Sequence, residues 1–429
     1  MKNILILFVL IFISLCVVGP VYCYPGAFGF AKNTIGGSGG QIIHVTNLKN
    51  SGTGSLRAAI SAEGSRVIVF DVAGAINLLS EISITNPYVT IAGQSAPESG
   101  ITILNAAIRI KTHDVVMQHI RFRVGDKLTA IPFDNRDCAG IENNTEGTLD
   151  TYNIWVDHCS FSFAIDEIFE LWYDGVRSIT ISNCIFAYGL KNSYHSAGAH
   201  SMGLLVGDHA KNISIIKNIF AHNNDRNPGL FGDTSVYVAN NLIYNCSQNC
   251  LKVTDSNGSG LVHVDIVGNV FKKGPDSVDT KPIWLDDTLP ISSSIFMDDN
   301  IQVNPEVIDQ SSLTRLPIGG GVMLKTSGNV SCGYTPISSA AVIDHVLRNC
   351  GAWSGYRDNV DTSIIESISN GTGSVIDTPS DIIGCFRDQY NYFEFQAPSE
   401  VSMDSFLKIK SDHACGFSNP VFNGVVIIK

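Results

Sequence analysis

Basic side chains are scarce in this sequence: 28 lysines and arginines face 40 aspartates and glutamates, a formal net charge of −12 over 429 residues. Polyanions are normally held by basic patches. A nucleic-acid partner is therefore excluded, and an anionic ligand of another kind would have to be brought in by a divalent cation. Charged residues of both signs make up only 16%, and with 44% apolar residues this excludes a disordered chain or a coiled coil. Long apolar runs are missing too, apart from Ile4 to Val18. That run of roughly 15 residues falls short of the ~20 that span a bilayer. With Met1-Lys2-Asn3 before it and Gly19-Pro20 after it, residues 1–23 read as a secretory signal peptide. The chain is expected outside the cell, with no membrane association after signal removal.

In an oxidising compartment nine of the eleven cysteines, those left once Cys16 and Cys23 depart with the signal peptide, become disulfide candidates. Cys246 with Cys250, Cys332 with Cys350 and Cys385 with Cys415 are the suggested pairs, with at least one buried free thiol, although spacing alone does not fix pairing. Six Asn-x-Ser/Thr acceptors, at Asn143, Asn212, Asn245, Asn257, Asn329 and Asn370, suit a glycoprotein.

An internal repeat organises the middle of the chain. Octets starting at Val115, Ile154, Ile179, Ile213, Val236 and Val264 superimpose, with aliphatic residues at places one and three. Place eight is Phe122, Phe161, Phe186, Phe220, Ile243 and Phe271, and place six is Asn in the last three, at Asn218, Asn241 and Asn269. The starts are 39, 25, 34, 23 and 28 residues apart. Short β-branched runs at this spacing, joined by Gly, Asn and Asp turns and with little helical periodicity between them, predict an all-β fold, a parallel β-helix whose coils stack like on like. The phenylalanines would form an interior stack and the asparagines a hydrogen-bonded ladder. Runs at 42–45, 67–72, 89–92 and 101–104 would be the first coils, and 283–285 and 295–297 later ones.

Where a step exceeds the shortest one, the coil carries extra loop, and loops on a rigid scaffold are where chemistry is usually mounted. The additions fall at about 125–150 and 187–210. The first holds Asp126, Asp134, Asp137, Glu142 and Glu146, the second Lys191, His195 and His200. Stacking would set them beside Asp157, Asp166, Glu167 and Glu170 and the Asn224-Asp225-Arg226 turn, a carboxylate cluster next to an arginine.

At this point the residues resemble the family 1 pectate lyases, secreted right-handed parallel β-helix enzymes that cleave polygalacturonate by β-elimination. The matching segments include Gly36-Gly37-Ser38-Gly39-Gly40, Ser51-Gly52-Thr53-Gly54-Ser55-Leu56-Arg57, Thr90-Ile91-Ala92-Gly93-Gln94-Ser95, Arg121-Phe122-Arg123-Val124-Gly125-Asp126, Val156-Asp157-His158-Cys159-Ser160, Ala221-His222-Asn223-Asn224-Asp225-Arg226-Asn227-Pro228 and Arg357-Asp358. Singly most are weak; in this order, over residues 29 to about 386, they are specific. The implied domains are a lyase domain over 24–386 and, over 387–429, a C-terminal extension or cap of unmatched sequence.

The resemblance implies roles residue by residue. Arg226, in its Arg-x-Pro setting, matches the family's arginine at the C5 proton. Asp137, Asp166 and Glu170 match its calcium-binding carboxylates, with Glu142 a rival to Asp137. Lys191, or alternatively His200, matches the lysine that contacts the substrate carboxylate. Phe231 stands where a second arginine is often found. The cofactor implied is Ca2+ and the partner an acidic polysaccharide, pectate or polygalacturonate, acted on by a monomer.

The residue types agree with that chemistry. A proton alpha to a carboxylate is very weakly acidic, and a hard cation on oxygen ligands stabilises the charge that develops when it leaves. Free guanidinium keeps its proton to above about 12, so two roles stay open for Arg226: the base itself, or a charge stabiliser beside hydroxide. Two other functions remain in play: a polygalacturonase-type hydrolase, which needs paired carboxylates, and an inactive polysaccharide-binding β-helix protein.

Overall fold

Each octet folds as two short strands joined by one residue, as in Val115–Gln118 and Ile120–Arg123 on either side of His119, or by two, as in Tyr152–Asp157 and Ser160–Ser162. The joining residue, or the first of the two, takes a left-handed backbone, with φ of 56° at His119, 49° at His158, 51° at Asn183, 58° at Lys217 and 56° at Asn240. Only glycine adopts that region freely, and Asn, Asp and His are enriched among the rest. This explains why place five changes residue type yet ends as Gly268. A third strand, such as Ala139–Glu142, closes the coil before the next octet begins at Tyr152–Asp157.

The computed structural model describes residues 24–97, 100–127, 132–143, 148–172, 174–277, 281–317 and 322–382, together with Asn391, Tyr392, Leu407, Ser411, Ala414 and Cys415. Within them the strands form three sheets of 11, 10 and 9 strands, built from the first, second and third strand of each coil. Every strand pairing is parallel except Val72–Ala73 with Asn391–Tyr392, at the edge of the second, ten-stranded sheet. This is the expected right-handed parallel β-helix. The early runs and those at 283–285 and 295–297 all lie in it as strands. The signal peptide, Cys385, Glu146 and nearly all of 387–429 lie outside the described residues.

Register stacks like on like. Phe122, Phe161, Phe186, Phe220, Ile243 and Phe271 are direct cross-coil partners, and the first four rings stack at centroid distances of 5.0, 5.1 and 5.0 Å. The amide of Asn218 donates to Asn241 Oδ1 at 3.0 Å, and Asn241 to Asn269 at 2.9 Å. The ladder runs one coil further than expected, to Asn300 at 3.0 Å, and finishes on Gln310, whose Oε1 accepts from Asn300 at 2.8 Å. Cys184 continues it on the other side, its backbone N–H donating to Asn218 Oδ1 at 2.9 Å.

Besides the short helices Leu56–Ser61 and Gln310–Leu313, two longer ones depart from the all-β expectation, Ser339–Asn349 and Asn359–Asn370. Their apolar residues recur at helical spacing, Val342 with Val346 and Val360 with Ile364 and Ile368, and pack on Phe163, Ile185 and Ile219 on the outside of one sheet. Asp358 caps the second helix by accepting from the Asp361 N–H at 2.8 Å. Arg123 then ties it down, donating to Asp361 at 2.7 Å and Asp358 at 3.1 Å. The Arg-x-Arg and Arg-Asp motifs are thus one buried clamp.

Two expectations are corrected. Every described cysteine is a free thiol. Cys332 packs with Phe28, Phe30 and Tyr237, whereas Cys350 belongs to the helix-covered cluster and donates to the Lys217 carbonyl at 2.9 Å. Cys246 and Cys250 face each other as hydrogen-bonded thiols. Of the glycosylation acceptors, Asn143 and Asn245 are buried, their amides engaged with Leu149 and Asp174 and with His222 and Asp276. A glycan cannot reach either.

Candidate active site

The third sheet carries the chemistry. Its outward residues line a groove of about 870 Å³ that includes Glu81, Arg109, Glu142, Asp166, Glu167, Glu170, Trp172, His195, His200 and Arg226. The octet pattern lies in the other two sheets, so the strands that build this wall, Ile108–Ile110, Ala139–Glu142, Glu167–Trp172 and Met202–Val206, had no repeat to mark them.

Arg109 sits at the centre of one end. Its Nη1 lies 2.8 Å from Asp137 Oδ2 and 2.9 Å from Glu142 Oε1, is paired also with Glu170, and its Nη2 lies 3.1 Å from Glu81. Burial works against its charge, but the surrounding carboxylates outweigh that and hold its proton more tightly than usual. Gly140 is required here, because a Cβ would lie 2.8 Å from Arg109 Nη1 and 3.1 Å from Glu170 Cγ. Sequence reasoning missed Arg109, although an arginine between Ile108 and Ile110 has to face outward from a strand whose neighbours face in.

Asp137, Asp166 and Glu167 bring carboxylate oxygens within 4.8 Å of one another. Asp137 Oδ1 also accepts from the Glu167 N–H at 2.9 Å. Burial and mutual repulsion lift Asp137 and Asp166 above the usual carboxylate range, and push Glu167 up to about 7 against the pull of Arg226. Beyond Asp166 stand His200, with Nε2 at 2.7 Å, and His195 at 3.5 Å, their rings stacked 3.7 Å apart.

Arg226 pairs with Glu167 and lies over Gly229, where a Cβ would come within 2.9 Å of its Cγ. Its backbone is left-handed, φ 58°, and its N–H is held by Asp225 Oδ1 at 2.7 Å. Phe231 supports the guanidinium from 5.4 Å. Of the residues expected at the site, Asp137, Asp166 and Arg226 are therefore gathered around Glu167, Glu170 is taken up by Arg109, and His200 lines the groove. Lys191 does not line it; its ammonium donates to Ser247 at 3.1 Å. Asp157 and His158 lie elsewhere, in a buried network with Ser182 and Asn183.

The groove thus sets a cluster of carboxylates beside two arginines, Arg109 and Arg226, on the outside of a parallel β-helix. No family model matches the chain. Among curated proteins it is 32% identical over 362 residues to the probable pectate lyase C of Neosartorya fischeri, covering 82% of this chain and 78% of that one. It is 30% identical over 373 residues to that of Emericella nidulans, covering 85% and 80%. Among solved structures, a thermostable pectate lyase superimposes with a TM-score of 0.56 at 14% identity over 79% of this chain and 99% of that one. A pectate lyase bound to a hexasaccharide does so with 0.55 at 14% over 78% and 98%. The chain belongs to the pectate lyase family.

Proposed function

We propose that the protein is a secreted, calcium-dependent lyase that cleaves (1→4)-α-D-galacturonan by β-elimination to give 4,5-unsaturated oligogalacturonides. The observation that carries this reading is the meeting of Arg226 with Asp166 and Glu167 in one open groove, with the buried Asp137 carboxylate within 4.8 Å of those two acids. The donor set fits calcium: three oxygen ligands converge, as a hard cation needs, and burial with mutual repulsion raises their proton affinities even though Arg109 and Arg226 pair with two of them. Bound there, the ion would draw in the uronate carboxylate and increase the acidity of its C5 proton.

The chain's own residues do the rest. Elimination breaks the C5–H and C4–O bonds and forms the C4–C5 double bond, and the departing chain takes up a proton at O4. Arg226, a quarter exposed and steadied by Glu167, would serve the leaving proton, either as its acceptor or as the charge that stabilises its removal by hydroxide. His200 is favoured over Lys191 for contact with the uronate, because it lines the groove while Lys191 is bonded to Ser247. Export is supported by the apolar run before residue 19; among the described residues no helix is long and apolar enough to cross a membrane. Arg226 and the carboxylates come from one chain, which supports action as a monomer.

The test is near-ultraviolet absorbance of a polygalacturonate digest with calcium, with a chelator, and with Arg226→Ala. Absorbance that rises only with calcium and Arg226 supports the reading. Chain ends released without absorbance would favour hydrolysis, and no release at all would favour a binding protein.

A further inference from the structure

Register on the third sheet continues past the groove. Glu170 pairs with Leu205, Leu205 with Gly229, Gly229 with Lys252, Lys252 with Trp284 and Trp284 with Arg315. These positions form one row along the outside of the solenoid, each about 4.8 Å from the next. Its character changes at Arg226, whose side chain lies over Gly229. Before that point the row holds Arg109, Gly140, Glu170 and Leu205, with Glu81, Asp137 and Glu142 crowding Arg109 from beside it; after it come Lys252, Trp284 and Arg315.

The second half is a built arrangement. Trp284 is sandwiched between the two cations of the neighbouring coils, with Lys252 Nζ 4.8 Å and Arg315 Cζ 4.6 Å from its ring. Asp286 approaches Lys252 at 4.0 Å and offsets part of its charge. Arg315 is exposed, and Lys252 and Trp284 are partly so. On a chain of net charge −12, a cation–aromatic–cation strip in register with Gly229, over which Arg226 lies, suits an anionic chain running along the helix axis.

We propose that Lys252, Trp284 and Arg315 form a second binding strip for the uronan, continuous with the groove, which engages its carboxylates directly instead of through a metal ion. The inference rests on a uronan being the substrate. A polymer with a carboxylate on every sugar can meet Lys252 and Arg315, about 10 Å apart across two coils, and lay a sugar face against the edge of Trp284. An acidic groove that needs a cation is thereby joined to a basic strip that does not, and the strip retains substrate when metal is scarce.

The experiment uses the full chain carrying Arg226→Ala, so that no cleavage occurs, in chelator. Retardation in gels containing polygalacturonate is compared for this parent, for added Lys252→Gln with Arg315→Gln, and for added Arg177→Ala, an exposed cation on another sheet. Thermal melts check that each variant is folded. The expected result is roughly fivefold weaker retardation for the double variant, no change for Arg177→Ala, and no difference in gels of fully methyl-esterified, uncharged pectin. Equal retardation of parent and double variant, or an equal loss with Arg177→Ala, would overturn the strip. Because this readout is binding by an inactive chain, failure of the lyase reading shows separately, as absence of unsaturated product from the chain with Arg226 intact.

Discussion

Arg109 and Asp137 meet at 2.8 Å across adjacent coils, both side chains nearly free of solvent at 5% and 2% exposure. Removing one partner of a buried pair leaves an uncompensated charge, at a cost of about 3–5 kcal/mol. Arg109→Met is therefore expected to lower stability by that amount in chelator. Calcium should restore part of the loss, since a bound cation takes over the neutralisation of Asp137. Denaturant unfolding with and without calcium checks this; unchanged stability in chelator would sink the idea.

The same arrangement separates two acids that sequence alone treats alike. Asp166 faces Asp137 and Glu167, whereas Glu170 is held by Arg109. In calcium titration calorimetry Asp166→Asn should weaken binding at least about tenfold, and Glu170→Gln by less than about threefold. The reverse order would return Glu170 to the ligand set.

Asn241 is central to the amide ladder. It accepts from Asn218, and its own amide donates to Asn269 and to the Ile215 carbonyl. Asn241→Leu strands these groups in the interior, each worth about 1–3 kcal/mol when unsatisfied. An overall loss of roughly 3 kcal/mol in urea unfolding is expected, well above that of an exposed asparagine such as Asn212.

Acid should unfold the protein through His222. Burial holds this imidazole down to about 4, and its contacts suit the neutral ring: Nδ1 accepts from Asn245 at 3.0 Å and Nε2 donates to Ser367 at 2.7 Å. Between about 6.5 and about 4 the unfolded chain binds a proton that the folded chain refuses, so stability falls as pH falls across that window. The full contribution is about 3 kcal/mol on that shift. Melting temperatures at pH 7 and pH 4.5 measure it. His222→Gln should flatten the dependence.

The β-helix was legible because its interior repeats: Phe161 has to sit over Phe122 and under Phe186, and one residue type recurring at one place betrays the stack. The helices at 339–349 and 359–370 were not, because they cover the solenoid once and repeat nothing. Arg226 and Asp166 could be read from motif context. The 187–210 insertion breaks the count from Asn183, so Lys191 lies off the groove lining, bonded to Ser247, while pairing of Met202 with Glu167 brings His200 to the groove. Arg109 and Glu167 act through partners on other coils, at sequence separations of 28 and 59 residues. No local pattern records such pairs.

Coils that stack by repetition have no natural last member, and an open amide row could accept the first coil of another molecule. Gln310 removes that invitation. Its amide group turns back to donate to the Asn300 and Ile308 carbonyls, both at 2.9 Å, while its oxygen takes the Asn300 amide. No amide of the row is left pointing outward. A single side chain thus sets where the column stops, and its loss would expose the kind of unpaired end from which fibres grow.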